Sequence, residues 1–148
     1  MRWEQGADFM EWEVTGYEFP DRIPSGEGFD DDANWLVLSC RKSIGGRWQE
    51  GRAACLQTVD VERVVRLLTE YQDGRVHAFS FGGPEPNFYL RLKRTQSPNR
   101  HRLTLFFWNE SGGESYGAAK EWVKIIDNGE LEALRLFWRQ VQTDFPVR

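Results

Sequence analysis

Only two stretches of the 148-residue chain have the apolar spacing of an α-helix. In the first, which ends before Gly74, apolar side chains recur every three or four residues at Val61, Val64, Val65, Leu68 and Tyr71. In the second, Asp127 and Glu130 form a capping-box pattern ahead of an apolar stripe made by Leu131, Leu134, Trp138 and Val141. We therefore predict two amphipathic helices, over about 59–73 and 128–143.

Most of the other apolar segments alternate with polar residues at a period of two, which is typical of β-strands with one buried face. These segments are 11–19, 35–42, 47–56, 76–81, 87–93, 103–108 and 121–126. Short turns such as Gly45-Gly46 separate several of them and favour antiparallel hairpins over βαβ crossovers. The predicted fold class is α+β, a twisted antiparallel β-sheet with two helices packed on it. The length fits a single domain over 1–148.

An acidic loop is predicted over about 20–33, where prolines and glycines alternate with carboxylates. The first 35 residues contain ten acids and two bases, a net charge of −8, whereas the remaining 113 residues carry +4. Such a segment repels nucleic acid and anionic membranes, and it steers a basic protein partner toward itself. We predict that the loop is mobile when free and that Glu27, Asp30, Asp31 and Asp32 form part of a partner-binding surface. The alternative is a solvated loop that only keeps the protein soluble.

No catalytic, cofactor-binding or metal-binding set is predicted. Two cysteines, Cys40 and Cys55, and two histidines, His77 and His101, have no spacing that indicates a zinc site or a catalytic pair. The cysteines are interpreted as half-buried thiols and each histidine as a structural residue. The oxygen-bearing run at 30–34 does not match a calcium-binding loop.

Basic residues cluster around one predicted hairpin turn, next to Tyr89 and Phe106. The cluster consists of Arg91, Lys93, Arg94, Arg100, His101 and Arg102. Such residues protect the edge of a sheet from aggregation, and near exposed aromatic rings they also bind single-stranded nucleic acid. The acidic balance of the chain, with a pI near 5.3, favours edge protection and argues against nucleic acid.

No apolar run is long enough to span a membrane, so we expect no membrane partner. Acidic residues near Met1 occupy positions where a signal peptide needs an apolar core, which predicts a cytoplasmic protein.

Several local patterns in order resemble the WapI-type family of bacterial immunity proteins, which act against polymorphic toxins. The pieces are Gly16-Tyr17-Glu18-Phe19-Pro20, Asp32-Ala33-Asn34-Trp35-Leu36, Ala54-Cys55-Leu56-Gln57-Thr58, Phe79-Ser80-Phe81, Glu85-Pro86-Asn87-Phe88 and Phe145-Pro146-Val147-Arg148. The resemblance implies a cytoplasmic binding protein that is not an enzyme and whose partner is the toxic C-terminal domain of a cognate toxin. It transfers a fold and a broad role without locating the toxin-binding surface.

The leading hypothesis is thus an immunity protein that neutralises a cognate toxin domain by stoichiometric binding. Aromatic residues make up 14% of the chain, which leaves two alternatives open. One is a small ligand-binding or enzymatic domain with an aromatic-lined pocket, and the other is a homo-oligomeric structural module.

Overall fold

A computed structural model describes residues 1–24, 30–108 and 121–148. In chain order, the strands and helices are β1 (Arg2–Gln5), β2 (Asp8–Tyr17), β3 (Trp35–Ile44), β4 (Arg47–Gln57), α1 (Thr58–Gln72), β5 (Ala78–Gly82), β6 (Phe88–Arg94), β7 (Arg100–Phe107), β8 (Trp122–Asp127) and α2 (Asn128–Asp144). A single 3₁₀ turn over Asp32–Asn34 leads into β3. The α+β class and both predicted helices are confirmed.

The described strands form two sheets, whereas the sequence predicted one. Sheet A has the strand order β1-β2-β3-β4 and sheet B the order β5-β6-β7-β8, and every pairing is antiparallel. The helix α1 lies in the chain between the two sheets. Alternation within a strand identifies its buried face but does not say which strands share a sheet, so the division is visible only in the structure.

The N-terminal hairpin is the largest element that the sequence did not predict. Strand β1 pairs with β2 in a register that places Trp3 opposite Met10. Both side chains are buried, and Gly6 in the turn has a φ of 63°, which favours glycine. The α-amino group of Met1 donates to the Trp12 carbonyl oxygen at 2.5 Å and ties the chain start to the sheet.

A capping box begins each helix. At the start of α2, Asp127 and Glu130 form a reciprocal capping box, as predicted. At the start of α1 the cap is Gln57, which exchanges hydrogen bonds with Asp60. Gly74, with a φ of 77°, ends α1 as predicted.

One aromatic core joins the two sheets to the helices. The ring of Trp12 in sheet A meets Phe88 in sheet B edge-to-face, with centroids 6.0 Å apart. Trp138 of α2 is fully buried and contacts both Phe81 and Phe88. Edge-to-face packing of this kind suits large rings in a small core. These three rings and Trp138 therefore pack the core rather than line a ligand pocket.

Within the described ranges, neither helix is long and apolar enough to cross a membrane.

Candidate protein-binding surface

The acidic loop is anchored at one end of the molecule by Asn34. This side chain is fully buried, and each of its hydrogen-bonding positions is used. Its amide nitrogen donates to the backbone oxygens of Asp30 at 2.7 Å and of Arg148 at 3.0 Å. Its amide oxygen accepts from the Thr58 hydroxyl at 2.9 Å and from the Arg148 N–H at 2.8 Å. One residue therefore ties the loop, the start of α1 and the C-terminal segment together.

Arg148 extends this anchor along the first part of the loop. Its guanidinium donates to the backbone oxygens of Phe19 and Pro20 and lies 4.4 Å from the centre of the Tyr17 ring. The Tyr17 hydroxyl in turn donates to the Pro146 oxygen. The residues that flank the loop are thus fixed by side chains that are distant in sequence.

The three consecutive aspartates at 30–32 have different environments. Asp30 is only 9% exposed, and its carboxylate accepts from Arg22 at 3.1 Å and from the Ala33 N–H at 3.2 Å. The hydrogen bond from Arg22, supported by the one from Ala33, holds the pKa of Asp30 below its usual value. Asp32 is 57% exposed and pairs with the same guanidinium at 3.2 Å. Asp31 is exposed and lies 3.5 Å from the Gln57 amide nitrogen.

Two of the three carboxylates at 30–32 are therefore paired with a cation. Arg22 sits between Asp30 and Asp32, and Asp30 is a structural residue that stabilises the 3₁₀ turn. Glu27, also predicted to bind a partner, lies outside the described residues.

Three exposed apolar side chains accompany the acids at this end of the molecule. Ile23 is 85% exposed, and Phe19 and Val147 are each 46% exposed. The backbone between Glu18 and Arg22 also lines an open depression of about 350 Å³. We define the acidic end as Phe19, Ile23, Asp31, Asp32 and Val147, which combines carboxylates with exposed apolar groups as protein-binding surfaces do.

His101 has the structural role that the sequence indicated, whereas His77 is exposed ahead of β5 rather than within an apolar strand. His101 is buried, with Nδ1 at 2.9 Å from the Tyr71 hydroxyl and Nε2 at 2.8 Å from the Asn128 amide oxygen. Because that oxygen can only accept, Nε2 carries a proton, and the Tyr71 hydroxyl is the partner of Nδ1, so both ring nitrogens are hydrogen-bonded.

The cysteines are more deeply buried than expected. Cys40 and Cys55 are both free and buried, and burial raises the pKa of each thiol to about 12. Thiols with such a pKa stay protonated and unreactive at neutral pH. Among the described residues, no group of three or more His, Cys, Asp or Glu side chains is placed to hold a metal ion.

The predicted basic cluster is divided between the two faces of sheet B. Arg94 and His101 point inward, where Arg94 donates to the Tyr71 backbone oxygen at 2.7 Å. The other four cations, Arg91, Lys93, Arg100 and Arg102, are exposed on the opposite face.

Two further motif residues join separate elements. Gly83 packs so closely on the Cys55 carbonyl that an added Cβ would lie 2.0 Å from its oxygen. The Asn87 amide donates to the Trp108 carbonyl oxygen at 3.0 Å. Like Asn34 and Arg148, these residues hold the fold together, and no spacing rule in the sequence could reveal their partners.

Comparisons with known proteins agree with this architecture. The structure of the plant transcriptional regulator PBF-2 is similar, with a TM-score of 0.55 and 14% identity, over 98% of this chain and 80% of that one. At this level of identity the similarity concerns the fold alone. No curated protein sequence matches the chain. A family model described as "Immunity protein WapI-like family" matches residues 3–146, which include strands β2 to β8, both helices and every residue of the acidic end except Val147. The chain therefore belongs to the WapI-like immunity protein family.

Proposed function

We propose that this chain is a cytoplasmic immunity protein that neutralises a cognate polymorphic toxin domain by stoichiometric binding, without catalysis. The observation that carries the proposal is the family match over residues 3–146. The match spans nearly the whole chain, which supports a role for the fold as a whole rather than for one short segment. The roles found for His101, Cys40 and Cys55 are structural, which is consistent with a protein that acts by contact.

The acidic end is the surface that we propose for the first contact with the toxin. Asp31, Asp32 and Ile23 are exposed, and the predicted partner residue Glu27 belongs to the same loop. Asp30 contributes by holding Arg22 and the turn, so it shapes this surface from within. Carboxylates accelerate encounter with a basic partner, and exposed apolar side chains slow dissociation once they are buried.

The test of the function uses the toxin domain encoded by the adjacent gene. Co-expressed, the two proteins should elute as a complex with equal amounts of each, and the chain should rescue cells that produce the toxin domain. Separate elution of the two proteins at micromolar concentration would contradict the proposal. So would rescue at an immunity-to-toxin ratio far below one, because that requires turnover.

The acidic end is tested by the double variant Asp31→Asn with Asp32→Asn. We expect its association rate with the toxin domain to fall about 3–10-fold at low ionic strength, and the salt dependence of that rate to flatten. Thermal stability should change little, because Asp30 is left to hold Arg22 and the Ala33 N–H. Stopped-flow measurements at low and high salt give both quantities.

The matched control for this variant is Glu62→Gln with Glu70→Gln on α1, which removes the same charge from another surface. If the control and the aspartate variant slow association equally, the effect comes from net charge, and the acidic end is not the contact.

A further inference from the structure

The open face of sheet B carries a compact group of cations. The group, which we call the basic face, consists of Arg91, Lys93, Arg100 and Arg102. Their side chains alternate with buried core residues along β6 and β7, so all four point away from the core. In the register of the sheet, Lys93 lies directly opposite Arg102.

Edge protection, which the sequence favoured for these residues, is wrong. The strand order β5-β6-β7-β8 places β6 and β7 in the centre of the sheet. Charged residues protect a sheet when they lie on strands whose backbone groups are unpaired, and these two strands are paired on both sides. The cations need another explanation.

Three of the four cations of the basic face are not neutralised by carboxylates in the described part of the chain, whereas the fourth, Arg100, lies opposite Asp127. Arg91, Lys93 and Arg102 form no ion pair with any described residue. Two acids lie nearby on the β8 side, and each already accepts a hydrogen bond from another group. Glu121 accepts from the Tyr89 hydroxyl, and Asp127 caps α2. Like charges directly opposite each other destabilise a sheet, so the Lys93–Arg102 pair lowers the stability of the free protein.

Apolar groups border the cations. Ile125 on β8 lies opposite Arg102 and is 49% exposed, and Ala78 on β5 lies opposite Lys93 and is also exposed. The combination of arginine with an exposed aliphatic side chain is typical of protein interfaces.

The aromatic residues on this face argue against single-stranded nucleic acid. Tyr89 is stacked parallel to Phe106, with ring centroids 5.0 Å apart and an interplanar angle of 7°. Phe106 is buried, and the Arg91 guanidinium lies 5.7 Å from the Tyr89 ring centre. Because Phe106 is buried and Tyr89 is half-buried, neither ring is freely exposed as the aromatic platforms on which bases stack are.

We infer that the basic face is a docking surface for an acidic surface of a protein, and that this protein is the toxin domain. The second part rests on the proposed function. On this inference, the toxin domain presents a basic patch to the acidic end and an acidic patch to the basic face. It therefore binds in one orientation, because any other orientation places like charges together.

The test is the Lys93→Glu variant, which places a carboxylate opposite Arg102 and so has opposite effects on stability and binding. Its melting temperature should rise, since it replaces a like-charge pair with an opposite-charge pair. Its affinity for the toxin domain from the adjacent gene should fall about tenfold or more at low salt, with a smaller loss at high salt. The matched control is Arg47→Glu, an exposed strand residue of sheet A with the same charge change, whose affinity should stay near that of the wild type.

A second probe separates this inference from the proposed function. Wild-type protein should bind a fluorescein-labelled polyglutamate peptide at low ionic strength, Lys93→Glu should not, and Arg47→Glu should. If the wild type and Lys93→Glu bind the toxin domain equally, the inference fails and the immunity function stands. If the wild type does not bind the toxin domain, the proposed function fails, and the peptide alone decides whether the face binds acidic protein. Tighter binding of oligothymidylate with the same number of charges would overturn the assignment to a protein partner.

Discussion

Gly83→Ala should destabilise the protein by about 3 kcal/mol, although it adds a single methyl group. The added Cβ would lie 2.0 Å from the Cys55 carbonyl oxygen and 3.2 Å from its carbonyl carbon. Cys55 is the extra residue where the register between β3 and β4 shifts, so its carbonyl belongs to the backbone of sheet A. Relief of the overlap therefore requires the β5–β6 connection to move away from β4. For a chain of this length, we expect the melting temperature to fall by roughly 6–12 °C.

The neighbouring Gly82 provides the control. A Cβ added there would lie 3.5 Å from the Phe88 oxygen and 3.6 Å from the Tyr89 Cβ, which are ordinary contacts. Gly82→Ala should therefore change the free energy of unfolding by less than about 0.5 kcal/mol. Calorimetry of both variants measures the difference between their stabilities. Equal melting temperatures for the two variants would show that the β5–β6 connection is not held against Cys55.

Asn34→Ala should lower the free energy of unfolding by about 3 kcal/mol or more, because it leaves several buried polar groups without their partners at once. The groups that lose a hydrogen bond are the Thr58 hydroxyl, the Arg148 N–H and the backbone oxygens of Asp30 and Arg148. Because the acidic end is built on these contacts, the variant should also associate more slowly with the toxin domain.

Thr58→Val is the graded comparison for Asn34→Ala. It keeps the shape of the side chain and removes one of the four hydrogen bonds, so we expect a loss of about 1 kcal/mol. Chemical denaturation of the two variants gives the loss of unfolding free energy for each, and hence the ratio of the two losses. If Asn34→Ala costs no more than Thr58→Val, Asn34 does not anchor the acidic end.

Gly83→Ala and Asn34→Ala differ in their expected effects on toxin binding. The atoms nearest to a Cβ at Gly83 belong to Cys55 and Leu56, not to the residues that define the acidic end, so its effect on toxin binding should follow the loss of folded protein. Asn34→Ala should impair association even at temperatures where the variant is fully folded. Comparison of the two separates the loss of the fold from the loss of the binding surface.

For the candidate site, the sequence located the acidic loop but not the roles of its residues. The aspartates at 30–32 were recognised by their charge, yet only the structure shows Asp30 turned inward onto Arg22 and Asp31 and Asp32 turned outward. Asn34 belongs to the oxygen-bearing run at 30–34 and to the Asp32-Ala33-Asn34-Trp35-Leu36 pattern, and neither of these indicated its partners. Its partners lie 24 and 114 residues away, and no local pattern could have indicated them.

Local chemistry was enough to determine the class of the fold. Helix spacing, capping residues and strand alternation depend on neighbours within a few residues, so both helices and most strands could be predicted from the sequence. The short N-terminal strand was missed because Trp3 is its only buried residue.

The tertiary structure decided how the strands are shared between two sheets and which surfaces are left open. The cations at 91, 93 and 102 alternate with apolar residues, and this pattern is the same whether a strand lies at the edge or in the centre of a sheet. Only the order β5-β6-β7-β8 shows that these cations face outward from the middle of sheet B. Strand alternation specifies which side of a strand is polar. Which partner covers that side depends on contacts between residues far apart in the chain, and those form only when the whole domain packs.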